Sequence, residues 1–501
     1  MATLTTTATA GTAADSAGTA GDGTVDAVGQ VDGAVARARE ASGSWAALSP
    51  AERAGHLLAV RRVLLERMDK LVDIVVAETG KLSAEATVNE FLVACEHLTW
   101  TARHAPRLLA RRRVGGGLLA HKRAEKRYEP LGVVGVISPW NYPLVLSLGP
   151  VVTALLAGNT VVLKSSELTP GVGTALGEIF SSMASHDRIV QVVTGGAAVG
   201  EALVRGGVDK VCFTGSVATG KAVMAAAAET LTPVVLELGG KDPMIVCADA
   251  DIRRAARAAV WGAFTNCGQT CIGTERVYVV DEVYDAFVDS VLDLTRTLHQ
   301  GRGRGADVGA MTHEAQVAVC QAHVADAVAR GATVAAGGTR TEVEGRSAFA
   351  PTVLLGVDHS MDVMRHETFG PLLPVMRVAD VEEALALAND SPYGLSASVF
   401  AKDPAVVERL VAGLQAGSVC VNDVMVSFAI AGLPFGGVKS SGVGVTHGAE
   451  GLHEFTRVKA VATDRGRLRR EPMWLPLPPV LERVARLAMR LRYRDAGRVA
   501  P

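Results

Sequence analysis

Two thiols four residues apart, Cys267 and Cys271, lie in the stretch FTNCGQTCIG (264–273), with Gly268 and Gln269 between them. Such a pair can hold a metal ion, close a disulfide, or present one thiolate as a nucleophile. A structural zinc site wants four ligands, usually as two close pairs. No second Cys or His pair of suitable spacing occurs, so no metal is expected. Only seven cysteines are scattered over 501 residues, with no export signal ahead of them, which fits free thiols in a reducing cytoplasm. The helical stretch RRAARAAVWGAF ends just before the pair, so the two cysteines belong to a loop, and a loop held by a rigid scaffold is where a nucleophile belongs. On spacing alone, two half-buried thiols acting as small hydrophobes remain the alternative.

Two other polar residues keep suggestive company. In VVLELGGK (234–241), Glu237 interrupts an apolar strand just before two glycines. Burial raises a carboxyl pKa and makes it a usable general base near neutral pH; a buried ion pair is the competing reading. In SPWNYP (138–143), Asn141 occupies a rigid bend between an aromatic residue and Tyr-Pro. Its amide could be aimed at developing negative charge, or it could simply be a turn residue.

The elements that must position these groups follow from the apolar pattern. LGVVGVI, NTVVLK, RIVQVVTG, KVCFTGS, PVVLELGG and PMIVCA are short apolar runs separated by helical segments such as ATGKAVMAAAAET. That rhythm belongs to a parallel sheet covered by helices. The pattern restarts after residue 273 with ERVYVVD, FAPTVLLG and SASVFA, which predicts a second α/β domain. Residues 131–163 carry no charge and exceed the ~20 residues a bilayer needs, but Pro139, Asn141, Pro143, Pro150 and Asn159 break any single lipid-exposed helix, and strand, helix, strand is expected instead. A hydrophobic share of 49%, a charged share of 20% and 53 glycines suit a large globular interior with many tight turns. A net charge of -2 gives no bulk attraction to nucleic acid, and no such partner is expected. The polar, Ala/Thr/Gly-rich residues 1–25 read as a loose, disordered tail.

Cys271, Glu237 and Asn141 occur together with KSSE (164–167), FTGSVATG (213–220), ETFGP (367–371) and LPFGGVKSSG (433–442). In combination these segments resemble the aldehyde dehydrogenase superfamily over about residues 30–463, nearly the whole chain. The resemblance implies an α/β fold with a Rossmann-like parallel-sheet cofactor domain, a second α/β catalytic domain and a small β oligomerisation arm. It divides the chain into a cofactor domain (26–115 and 131–238, closed by 434–450), a catalytic domain (239–433), oligomerisation strands (116–130 and 451–465) and a C-terminal extension (466–501). The G-Q-x-C pattern makes Cys271 the nucleophile. Asn141 and the backbone N–H of Cys271 would hold the oxyanion, and Glu237 would activate the water that hydrolyses the thioester. By the same similarity Trp140, Lys164, Glu167, Gly215, Ser216, Glu367 and Phe369 bind the cofactor. Gly215 and Ser216 would face the pyrophosphate at a helix N-terminus, while a lone Gly-rich turn is equally explained by packing. Lys164 and Glu167 would approach the adenosine ribose, and Glu367 the nicotinamide ribose; in isolation Lys164 and Glu367 would read as surface charges. A carboxylate beside the ribose repels a 2′-phosphate, so NAD is expected, with NADP as the second option.

The expected reaction is oxidation of an aldehyde to its carboxylic acid through a Cys271 thiohemiacetal and thioester. Relatives acting on semialdehydes often carry an arginine eight positions after the motif asparagine; here that position is Gly149. The segment VMVSFAIAGLPFGG (424–437) resembles the loop of enzymes for fatty or aromatic aldehydes, with Val426, Phe428 and Ile430 placed to line an apolar tunnel or simply to pack a loop. A succinate-semialdehyde dehydrogenase is the main alternative. A CoA-acylating relative, which generally lacks the base found here as Glu237, and an inactive cofactor-binding homologue complete the alternatives. Val445 departs from the basic residue common in relatives. LLAHKRAEKRYEP and EFTRVKAVATD resemble strands that pair between subunits, which implies a homodimer or homotetramer. Finally, Val480 to Arg494 spaces apolar residues helically among arginines, a basic amphipathic pattern that docks either on its own domain or on an anionic membrane, through residues 478–494. A cytoplasmic enzyme with a membrane-associated option is the resulting expectation.

Overall fold

The computed structural model describes residues 22–183, 186–466, 470–471 and 473–493. Most of the expected N-terminal tail, residues 1–21, lies outside the described residues, as does Arg494. The end of that tail is corrected: the first helix spans Asp22–Ala47 and so already includes residues 22–25. The helix is anchored further along its length, where Val31, Ala34, Val35, Ala38 and Trp45 are buried at helical spacing.

Two compact units divide the chain, one of residues up to 109 together with 129–457, the other of 110–128 with the residues from 458 onward. The larger unit contains two sheets. Strands β1 (Val133–Ile137), β2 (Thr160–Lys164), β3 (Val190–Val193), β4 (Lys210–Thr214) and β5 (Val234–Glu237) form the first, with Gly442–Val443 along its edge; the spatial order is 442–443, β5, β4, β1, β2, β3. All pairings are parallel except the antiparallel edge, where Gly442 faces Glu237. The second sheet takes β6 (Asp242–Val246), β7 (Thr274–Val280), β8 (Thr333–Ala336), β9 (Thr352–Leu355), β10 (Leu372–Val378), β11 (Ser396–Phe400) and β12 (Ser418–Val421), in the order β8, β9, β10, β7, β6, β11, β12. Every residue of β1, β2, β6, β7 and β11 is buried, as β-branched runs covered on both faces must be.

Register fixes what stands at the carboxyl edge of the first sheet. Ile137 pairs with Lys164 and with Phe213, and Thr214 pairs with Glu237. The bend 138–142, the turn after Thr214 and Glu237 therefore leave the sheet at one edge, where ligands bind in open α/β sheets. The uncharged stretch 131–163 resolves into β1, the helix Pro143–Ala157 and β2. That helix is 15 residues long and buried almost throughout, and no described helix is long and apolar enough to cross a membrane.

A three-stranded sheet is built from Arg112–Val114, Lys122–Pro130 and Thr456–Asp464, with Lys122–Pro130 central. In the smaller unit the Lys122 ammonium reaches both Asp464 and Glu471, and Glu471 also accepts from His121 at 3.1 Å.

Trp45 is fully buried, and its indole N–H donates to the Leu155 carbonyl at 2.9 Å, which ties the first helix to the helix 143–157. Trp45→Ala is expected to lower unfolding stability by about 3–5 kcal/mol in urea melts, the usual cost of truncating a buried aromatic. A loss below ~1 kcal/mol would show that this anchor does not hold the first helix.

Candidate active site

The helix Ile252–Phe264 ends in a short turn, Thr265–Gly268, whose backbone winds the wrong way: Asn266, Cys267 and Gly268 all have positive φ, at 52°, 53° and 72°. Non-glycine residues there cost free energy and persist only where the surroundings over-determine them. Here they do. Glu85 accepts from the Asn266 backbone N–H at 2.6 Å and from the Thr265 hydroxyl at 3.0 Å. The Gln269 amide donates to the Asn266 carbonyl at 2.9 Å and its oxygen accepts from the Thr312 N–H at 2.9 Å. Gly268 is required because a Cβ would lie 2.2 Å from the Gly370 carbonyl group. The turn separates the two thiols. Cys267 is buried, 3.8 Å from the Gln300 amide, and burial pushes its thiol up to about 12, so it is an inert core residue. Cys271 is partly exposed.

Cys271 lines two cavities. One, of about 370 Å³, is also lined by Trp140, Asn141, Gly215, Ser216, Glu237, Glu367 and Phe369. The other, of about 250 Å³, is apolar, with Val145, Trp261, Ile272, Met425, Val426 and Phe428 on its walls. Besides Cys271, only Leu146 belongs to both. Eight of the ten site residues expected from the sequence thus meet around one cleft. Lys164 and Glu167 do not line it; Lys164 ends β2 and holds the half-exposed Glu167 at 3.0 Å.

Asn141 is buried, and its side-chain amide donates to the Gln269 carbonyl at 3.1 Å, against the cysteine loop. An amide nitrogen carries two N–H donors, so one remains for an oxyanion. Glu237, at the end of β5, is buried with neither carboxylate oxygen hydrogen-bonded. Burial holds its carboxyl well above the usual range; the Thr446 hydroxyl, the one opposing influence, is donated to the Phe435 carbonyl at 3.2 Å. Burial likewise pushes the Glu367 carboxyl up to about 8, helped by Glu275 and opposed by the Gly240 N–H it accepts at 2.9 Å. The Cys271 thiol is raised first by burial and then by Asp242, Glu367 and Glu237. A thiol so placed becomes nucleophilic only when those carboxyls are neutral or engaged.

The cleft suits a dinucleotide. Gly215 closes tightly on Phe213, where a Cβ would fall 2.5 Å from the ring, and Ser216 caps the helix Val217–Ala228 by accepting from the Thr219 N–H. That leaves a helix N-terminus facing the cavity for phosphate oxygens. Glu367 offers acceptors for ribose hydroxyls, and Trp140 against Phe369, centroids 5.4 Å apart and edge-on, forms an aromatic wall for a flat ring. The two unpaired oxygens of Glu237 mark a wall that expects a donor. Among the described residues no group of three or more His, Cys, Asp or Glu is placed to hold a metal ion.

A model of the aldehyde dehydrogenase family matches residues 17–461. The chain belongs to that family. Among its relatives, a 4,4'-diapolycopene aldehyde oxidase of Methylomonas sp is 44% identical over 442 residues, which is 88% of this chain and 83% of the relative. A putative succinate-semialdehyde dehydrogenase (NADP(+)) of Mycolicibacterium smegmatis is 40% identical over 87% of this chain and 84% of its own length. Among solved structures, a Mycobacterium tuberculosis aldehyde dehydrogenase complexed with NAD+ superposes with a TM-score of 0.83 at 34% identity, covering 87% of this chain and 90% of the other. A Burkholderia pseudomallei succinate-semialdehyde dehydrogenase gives 0.84 at 36% identity, with 87% and 90% covered.

The dehydrogenase site has a support that sequence reading missed. Lys81 and Glu90 form an ion pair of 2.6 Å with both side chains fully buried. Lys81 also donates to the Asn141 carbonyl at 2.7 Å and stands 4.0 Å over the Tyr142 ring, while Glu90 accepts from the Leu144 N–H at 2.8 Å. The bend that carries Asn141 is thereby held by charge from a distant segment. The only sequence signal was a lysine and a glutamate inside the amphipathic stretch GKLSAEATVNEF (80–91), which reads as an ordinary solvated face. Lys81→Met alone should cost about 3–5 kcal/mol because it strands a buried carboxylate. Lys81→Met with Glu90→Leu should recover most of that loss in thermal melts while turnover stays depressed, since the Asn141 carbonyl then loses its charged donor and keeps only the Asn266 amide; full recovery of turnover would show that the pair is only structural.

Proposed function

We propose that this aldehyde dehydrogenase oxidises apolar aliphatic or aromatic aldehydes to carboxylic acids with NAD, or with NADP as the second choice, through a covalent intermediate on Cys271. The observation that carries this reading is the position of Cys271 as a wall shared by a polar, nucleotide-shaped cleft and an apolar cavity. The bound dinucleotide supplies a hydride acceptor. The chain's residues do the rest. Cys271 gives up its proton and its sulfur bonds to the carbonyl carbon, and the oxygen becomes an oxyanion. The Asn141 amide and the Cys271 backbone N–H donate to that oxygen; loss of one such donor typically costs ~10²–10³ in rate. Once the carbon has lost its hydrogen as hydride, a thioester remains on Cys271. Glu237 takes a proton from water, the water oxygen bonds to the acyl carbon, and the carbon–sulfur bond breaks to return the thiolate and release the acid.

The apolar cavity favours this substrate class over a semialdehyde. None of its described lining residues is Lys, Arg or His, so a distal carboxylate would meet no cation. The single charge there is the acid Asp423, which faces Arg254 at 3.4 Å. Relatives named for succinate semialdehyde keep that second reading open at the level of family. Steady-state rates with hexanal, benzaldehyde and succinic semialdehyde decide between them: kcat/KM for hexanal should exceed that for the semialdehyde by at least ~10-fold, within the 1–3 kcal/mol that pocket chemistry supplies. Added CoA should leave the product a free acid; acyl-CoA would place the chain in the acylating branch.

Seven unpaired cysteines support a cytoplasmic setting. Strands near 116–130 and 451–465 support assembly as a homodimer or homotetramer, and residues 478–494 support a peripheral membrane contact.

Two variants test the chemistry. Cys271→Ser should abolish turnover, and full retention of activity would end the mechanism. Because burial raises the Glu237 carboxyl, the basic form gains ground only as pH rises, so kcat should climb through neutral to alkaline pH. Glu237→Gln should flatten that limb and slow steady-state turnover by ~10²–10⁴ while leaving a single-turnover burst of reduced cofactor. An unchanged pH profile would assign the base elsewhere.

A further inference from the structure

The helix Leu481–Arg492 buries none of its residues. Val480, Val484, Leu487 and Leu491 recur at helical spacing and stay 55–64% exposed. At 100° per residue they form one narrow stripe. Arg483 and Arg490 border the stripe on one side and Arg492 on the other, while Glu482 lies on the opposite face and pairs with Arg486 at 2.7 Å. Arg483, Arg490 and Arg492 pair with no acid among the described residues. The approach to the helix is equally open: Met473, Trp474, Leu475 and Leu477 are exposed, and Tyr493 follows its last turn. An apolar stripe flanked by arginines and bracketed by Trp and Tyr is the profile of a helix lying in a bilayer interface.

We infer that residues 473–493 dock the enzyme on an anionic lipid surface, the stripe entering the acyl boundary and the arginines meeting headgroup phosphates. Charge argues for this occupant over a second copy of the helix. A two-fold contact sets the same face against itself, which would bring the rows of Arg483 and Arg490 together, four arginines with the helix's only acid, Glu482, turned away on the opposite face. Anionic headgroups meet every one of those charges. Docking would bring the apolar cavity's owner to the phase in which long apolar aldehydes dissolve; that consequence rests on the substrate class proposed above, whereas the docking does not.

The test uses the full chain with vesicles of phosphatidylglycerol mixed with phosphatidylcholine, and with phosphatidylcholine alone. The protein should sediment with the anionic vesicles on the order of tenfold more tightly than with the neutral ones, and high salt should release it. Leu487→Asp should abolish sedimentation. Arg483→Gln with Arg490→Gln and Arg492→Gln should erase the preference for anionic lipid. Turnover of hexanal in buffer should be unchanged in all three proteins, so loss of the substrate reading and loss of the docking reading would be seen separately. Wild-type protein that stays in the supernatant with anionic vesicles would overturn the inference, as would variants that sediment like wild type. If Leu487→Asp instead shifts the assembly state on a sizing column and neither protein binds vesicles, the stripe is a contact between copies.

Discussion

The buried pair Lys81–Glu90 governs more of this molecule than its size suggests. Both charges are out of water, and such a pair offsets its desolvation only when the remaining hydrogen-bonding capacity of each partner is used. Lys81 spends its second donor on the carbonyl of Asn141, and Glu90 spends its second oxygen on the first turn of the helix Pro143–Ala157. The bend between β1 and that helix is therefore specified from both sides. Asn266, in the left-handed turn before Cys271, bonds to the same Asn141 carbonyl at 3.0 Å. A single backbone oxygen thus joins the ion pair, the amide-bearing bend and the cysteine loop, and the geometry of the thiol against the amide follows from it.

Around this rigid frame the cleft concentrates acids. Glu237 and Asp242 are buried and Glu367 is half-buried, and all three carboxyls are displaced upward; both oxygens of Glu237 and one of Asp242 lack a hydrogen-bond partner. Three carboxylates and a thiolate could not be ionised together in so small a volume. In the proposed reaction these protons are coupled: a thiolate would form most easily while its neighbours are neutral, and a neighbouring carboxylate would return as base after the sulfur has been acylated. The cations embedded nearby are already committed: Lys241 to Glu275 and Thr368, and Arg276 to the carbonyls of Lys241 and Ala388.

Much of this was legible in the sequence, for physical reasons that differ by residue. The strands of both sheets announce themselves because burial on two faces demands unbroken β-branched runs, and the register of Thr214 with Glu237 then brings distant motifs to one edge. Glu237 was readable because it interrupts such a run with a carboxylate, whereas Cys271 and Asn141 stood out only as a loop thiol and a bend amide whose motifs resemble the family's. Lys81, Glu85 and Asn266 were not readable. Their importance lies in partners more than a hundred residues away in two of the three cases, and a lysine on a helical stretch looks the same whether it meets water or a buried glutamate. The left-handed winding of Asn266 and Cys267 was hidden too, since only tertiary hydrogen bonds sustain it. The polar opening reads as ending at residue 25 rather than 21 because Gly, Ala and Thr there carry no apolar spacing to mark the helix that begins at Asp22.

The thiol's double exposure carries a consequence for traffic through the enzyme. In the proposed reaction an acylated Cys271 fills the apolar cavity with its own hydrocarbon, and that side closes to water for as long as the bond lasts. Solvent can then arrive only past Glu237, by the route the dinucleotide also uses. The two openings would work as a turnstile, in which water enters from the Glu237 side and the greasy side is vacated last.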